Sequence, residues 1–382
     1  MLALSLSLSG SAWGLDCPPG TQPRGAPPPS GTERWCERSD GSGVRHGPSL
    51  RWDTSGVLRA EGSYADGDRT GPWRTFFPDG APESEGAYVG DKRDGPWRHW
   101  HDNGQLWFEG GYTGARASGS WTYYHPNGRL ESSGDFINGA KYGTWTHWHD
   151  NGNKAAEGRY VAGVPDGPWV YQREDGTLER AGSYRGGREA GPWRWWSPDG
   201  ALQREASFVD GELEGIERCY GAGKEVLSER GWRGGAQHGV ERLFWPGGAL
   251  QSEGRYDSGR RDGTFTFYRD SGSEQLGPIE RIEGWRSGVK HGPWRTYWPS
   301  GQLQSEGEMA FGEETGTWTH WHPDGTKKGQ GDFVEGEPVG TWTLWHPDGT
   351  IKSVGAYVAG ERVGVWRWFS EGGALEREER YP

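Results

Sequence analysis

Cysteine is nearly absent: 382 residues hold only Cys17, Cys36 and Cys219. None stands in a CxxC pair, so neither a cysteine zinc site nor a dithiol redox centre is written here. Long apolar runs are missing too. No stretch reaches the ~18 apolar residues of a membrane-spanning helix. Basic blocks are lacking, with 42 Lys and Arg against 54 Asp and Glu and a net charge of −12. Nucleic acid and anionic membranes both ask for a basic stripe, so neither is expected as a partner. There is no GxSxG, no P-loop, and no cysteine nucleophile beside a base. A 3.6-residue apolar period is also wanting, which leaves little room for helix.

What the chain does have is 68 glycines, 24 prolines and 25 tryptophans. Glycine and proline without order suggest disorder. Here the aromatic content is 13% and its positions are fixed, which argues for packing instead. The run from Gly95 to Ser118 recurs along the chain. Its opening glycine returns every 24 residues from Gly47 to Gly263, then after one longer step at Gly292, Gly316, Gly340 and Gly364. Fourteen copies fill residues 47–382.

Count the opening glycine as position 0. Tryptophan stands at position 2 in ten of the fourteen copies, and position 5 is aromatic in thirteen, Gln172 being the exception. Position 9 is glycine in thirteen copies and position 17 is again aromatic in most. Pro-Asp-Gly or Pro-Asn-Gly precedes the strand return, as at Pro78–Gly80 and Pro126–Gly128. Proline presets the first corner of a type I turn and glycine accepts the left-handed residue after it, which makes a three-residue hairpin with a bulge. Strict alternation then puts positions 5, 11, 15 and 17 on one face. In one copy these are Trp100, Leu106, Gly110 and Tyr112, the glycine leaving room for a neighbouring ring. Single hairpins are marginal and must stack. The expected fold is all-β: about fourteen tandem 24-residue β-hairpin repeats in an elongated, twisted, single-layer antiparallel sheet of roughly 28 strands.

Ahead of the array, residues 1–14 read as the apolar core and cleavage site of a signal peptide without a basic start, set against an ordinary N-terminal segment. Residues 15–46 read as a Pro-rich spacer and an N-terminal cap, with Thr32–Arg38 as a strand covering the first hairpin's edge. On export, Cys17 and Cys36 can join in a disulfide, and an extracytoplasmic location is expected. Near 273–278 an insertion interrupts the array. Glu217, Glu241 and Phe265 stand close by where tryptophan belongs. These are drift and a surface loop, or else a kink or binding notch.

The pattern GxW…WHPDG…L…EGxYxxG at 24-residue spacing resembles the MORN repeat variant family, whose bacterial members are often labelled YwqK-type antitoxin proteins. The resemblance implies a β-hairpin repeat protein used for interaction or scaffolding. The expected function is a non-catalytic exported scaffold, with a toxin-neutralising or immunity-like protein as the alternative. Its partner is expected to be a protein, with a cell-envelope glycan behind it.

Candidate sites are few. Trp97, Trp121, Trp145, Trp169 and Trp193 with His101, His125 and His149 can form a binding stripe for a peptide or sugar ring, or the rings merely pack on neighbouring copies. Histidines of successive copies stand about 10 Å apart on a sheet, too far to share a metal, and no cofactor is expected. The repeated glutamates near position 14 (Glu61, Glu85, Glu109, Glu157, Glu205, Glu253, Glu306 and Glu378) read as a solvated row. No copy is singled out as a catalytic acid would be.

Overall fold

A computed structural model describes residues 14–382; most of the expected signal segment lies outside the described residues. Those residues contain strands and turns and no helix. Of the 33 strands, two precede the array and three are two-residue stubs (Lys92–Arg93, Glu212–Leu213, Arg260–Arg261). The remainder are the 28 that fourteen hairpins require. The chain divides into two compact units, one ending at Arg188 and one running from Glu189 to Pro382. That division does not coincide with the insertion near 273–278.

In the first unit each strand pairs antiparallel with the next, from Thr21–Ala26 on Glu33–Arg38, and Glu33–Arg38 on Arg45–Trp52, through to Leu178–Arg185, save that the stub Lys92–Arg93 and Gly95–Trp100 both pair on Pro82–Val89. The cap strand thus lies where the sequence places it. Within the Pro-rich spacer, Thr21–Ala26 is extended as a strand and forms the outer edge. Cys17 and Cys36 are disulfide-bonded across a separation of 19 residues. Closing a loop of that length restricts the unfolded chain by about 3 kcal/mol. The second unit repeats the same meander, ending in Leu375–Tyr381 paired on Glu361–Phe369. In both units the main packing runs between neighbouring strands, as in a single layer.

Two kinds of turn alternate. Within a copy, the His101 N–H donates to Gln105 O at 2.8 Å and the Gly104 N–H to His101 O at 3.0 Å, with Gly104 at φ +81°. This is the expected type I turn closed by a left-handed glycine. Between copies the turn has two residues, both at positive φ, as at Asn138 (52°) and Gly139 (85°). That is the type I′ geometry whose twist suits a hairpin.

One irregularity organises the packing. Between the pairs Ser118↔Gly111 and Thr122↔Glu109, residues 119–121 stand opposite Gly110 alone. The opening glycine makes this bulge at φ +71°, and the bulge swings Trp121 over the facing strand. A Cβ built on Gly110 would lie 2.2 Å from indole Cδ2. The displaced backbone leaves the Gly111 carbonyl without its ladder partner, and the Trp121 indole N–H donates to it at 3.1 Å. The same bond recurs from Trp73, Trp97, Trp145 and Trp169, and from Trp318, Trp342 and Trp366 in the second unit.

The expected inner face needs correction. Gly110 pairs with Trp97 and Tyr112 with Gly95, whereas Trp100 pairs with Leu106 across a second bulge at His99/Trp100. One extra residue breaks strict alternation. Positions 2, 15 and 17 therefore share the buried face, and rings at position 5 such as Trp100 and Trp148 are only half-buried.

Candidate functional site

The expected stripe lies inside the packing. Trp97, Trp121, Trp145 and Trp169 in the first unit and Trp193 in the second are all buried, Trp145 and Trp193 completely. Trp145 is edged by Phe136 at 5.1 Å and by Tyr160 at 6.2 Å, and the Lys141 ammonium sits 3.9 Å above its ring. Burial lowers the Lys141 pKa. The histidines are struts. His101, His125 and His149 each place Nε2 2.9 Å from a carbonyl of the next copy, on Tyr124, Trp148 and Gln172. A carbonyl only accepts, so each ring donates through Nε2–H. Their neighbours His99, His147 and His320 pack in the sheet, and burial lowers the pKa of all three, that of His147 to about 4. Among the described residues, no three His, Cys, Asp or Glu side chains gather as a metal site.

The run of departures in the second unit is an ionic inset. Glu217, at a tryptophan position, is buried and accepts from Arg204 Nε at 2.6 Å and Trp232 Nε1 at 3.0 Å. Glu241 accepts from Arg230 Nε at 3.1 Å and Gln237 Nε2 at 3.0 Å. Arg230 occupies the position that is glycine in most copies, so an Arg–Glu pair replaces a Gly–Trp pair. Glu283, also at a glycine position, is buried and holds Arg281 at 2.9 Å, Arg261 at 3.3 Å and Trp285 at 3.1 Å. These carboxylates are satisfied counter-ions. The insertion beside them is a loop closed by the Arg269 N–H on Pro278 O at 3.0 Å.

The opposite face carries what the sequence reading missed. Arginine at position 3 meets glutamate at position 14 on either side. In the first unit Arg74 bridges Glu61 (3.5 Å) and Glu85 (3.7 Å), and Arg98 bridges Glu85 (3.5 Å) and Glu109 (3.3 Å). In the second, Arg194 pairs with Glu205, Arg218 with Glu229, and Arg242 with Glu229 and Glu253. The glutamates are thus ladder partners, and arginine recurring at position 3 was the signal available. Above the first-unit ladder runs an open trough of about 1260 Å³, walled by Arg74, Glu85, Arg98, Glu109, Ser120 and Thr122. Its floor exposes the backbone of Gly86, Gly95, Gly110, Gly111 and Gly119.

Fold and surfaces define a β-hairpin repeat scaffold. Its copies are similar to a known repeat: residues 45–66, 93–113, 118–138, 141–162, 190–210 and 290–310 match the MORN repeat variant. No curated protein shows significant sequence similarity to the chain. Among solved structures, the TcdB2–TccC3–Cdc42 complex is 11% identical, over 91% of this chain and 23% of that one, with a TM-score of 0.15. A Photorhabdus luminescens Tc holotoxin pore is 10% identical over 90% and 24%, with a TM-score of 0.16. The chain spans about a quarter of the length of those proteins. Superposition at this level is too loose to carry function across.

Proposed function

We propose that the protein is a non-catalytic, extracytoplasmic interaction scaffold whose first unit receives an extended polypeptide in the trough above the Arg–Glu ladder. The trough carries this reading. It is open, its walls repeat charged and hydroxyl groups at the pitch of the copies, and its glycine floor lets a partner backbone approach closely. The Cys17–Cys36 bond suits an oxidising compartment. Ionisable side chains in the ladder and the inset are paired with one another, which favours binding over acid–base chemistry. A toxin would be one partner of this kind.

The test is capture from a cell-envelope fraction with the intact chain and with Arg74→Glu/Arg98→Glu, which reverses two exposed walls. Retention of a defined polypeptide by the first and its loss by the second, with matching circular dichroism, supports the reading. Equal retention by both refutes it. Recovery of the native protein only from the cytoplasm refutes the location.

A further inference from the structure

The two-residue turns between copies stack into a column of their own. In the second unit the Gly312 N–H donates to Lys290 O (3.0 Å), Gly336 to Glu314 O (3.1 Å) and Gly360 to Pro338 O (3.2 Å). Successive turns are two strands apart, about 10 Å. Along this column Val289, Phe311, Val334 and Val358 are 46%, 88%, 55% and 61% exposed. Phe311 is the least expected of them. It sits at φ +55°, a conformation that bulky side chains avoid, and its ring gains little burial there. Its one ring contact is edge-on to His291 at 6.0 Å, which leaves most of the ring in solvent. Between the apolar groups stand Glu313, Glu335, Glu337 and Glu361, all exposed and without an ion pair among the described residues.

We propose that this column binds an extended, basic polypeptide segment bearing an apolar side chain at every third residue. The spacing decides the pattern. A polyproline II chain has three residues per turn and advances about 3.1 Å per residue, so every third side chain falls on one face at intervals of about 9–10 Å. That matches the pitch of the turns. Lysine or arginine between the apolar residues meets the four carboxylates. The same carboxylates disfavour an anionic membrane or a nucleic acid. The column shares no residue with the trough and needs neither of its arginines.

A fluorescein-labelled peptide of repeating Leu-Lys-Pro, about 12 residues long to cross four turns, tests this by fluorescence anisotropy with the full chain. Binding should weaken about fivefold or more when ionic strength rises from about 0.05 to 0.3 M. Phe311→Gly should weaken it about tenfold without harming the fold, since glycine accepts this φ freely. Glu335→Lys/Glu337→Lys should do likewise, whereas Arg74→Glu/Arg98→Glu should change nothing here. Failure to bind, equal binding of a Leu-Glu-Pro peptide, or equal binding of a peptide with leucine at every fourth residue overturns the proposal. So does self-association of the chain that Phe311→Gly abolishes, because the column is then covered by a second copy.

Discussion

The indole of Trp145 covers Gly134 so closely that a Cβ on the glycine would stand 2.4 Å from Cδ2, while the same indole donates its N–H to Asp135 O at 3.1 Å. Two sets of glycines follow from this geometry. Gly134 is needed for space. Gly143, which opens the bulge carrying Trp145, is needed for its φ of +72° and has nothing within 4 Å of a built Cβ.

Substitutions should separate the two roles. Gly134→Ala should cost about 1–3 kcal/mol through overpacking, and Gly134→Asn more. Gly143→Ala should cost about 1–2 kcal/mol through the left-handed backbone, and Gly143→Asn less, because asparagine tolerates that region. Urea midpoints for the four variants check the crossing. The same rank order at both sites would contradict the assignment.

Tryptophans three residues apart in one strand should also differ. Trp145 is fully buried, whereas Trp148 is half-buried and its partner Lys154 is exposed. Trp145→Ala should cost about 3–5 kcal/mol, and Trp148→Ala less than half of that. Chemical unfolding with matched m-values decides it.

How much of this was written in the sequence depends on the kind of signal. The 24-residue period, the in-copy turns and the cap strand were legible because glycine and proline act locally on the backbone. The inner face was misread, since the bulges at Gly95 and at His99/Trp100 shift the alternation; the recurring opening glycine marked the first of them, and the second has no residue signature of its own. The stripe residues recur as a periodic set, and the fold buries their tryptophans. Whether His101 faces solvent or the Tyr124 carbonyl depends on how the next copy is placed, which spacing alone does not convey. The Arg74–Glu85 ladder was half seen, because the glutamates were counted and the arginines eleven residues before them were not.

Acid should weaken the first unit through His147. Burial holds this ring near pKa 4 in the fold, against an ordinary value of 6.5. Between those values the unfolded chain binds the proton and the folded chain does not, so stability falls as pH drops from about 6.5 toward 4. Below pH 4 this contribution levels off. Other copies carry Tyr123, Tyr171 and Trp195 at the same position, so His147→Tyr should pack acceptably. It should flatten the change in melting temperature between pH 6.5 and 5, a window that lies above the titration of most carboxylates. His99 and His320, shifted the same way by burial, should leave a smaller residual slope. An unchanged slope in the variant would show that His147 is hydrated in solution.

The ionic inset offers the last test, because Arg230 and Glu241 stand where most other copies have glycine and tryptophan. Glu241 is well covered and Arg230 partly so, with side-chain exposures of 13% and 34%. Such a pair attracts strongly but gives up hydration, and well-packed apolar groups often match or exceed it. Removing one partner is different, since it leaves the other charge under cover without a counter-ion. Glu241→Trp alone should therefore destabilise by about 2 kcal/mol or more, both by stranding Arg230 and by driving an indole against its side chain. Adding Arg230→Gly supplies the bare backbone over which Trp121 lies at Gly110, so the double variant should recover native stability or exceed it by about 1 kcal/mol. A double-mutant cycle by urea unfolding measures the coupling. Additive losses would mean that the bulge at Gly239 does not aim position 241 over position 230, and the equivalence of copies on which the buried face rests would fail there.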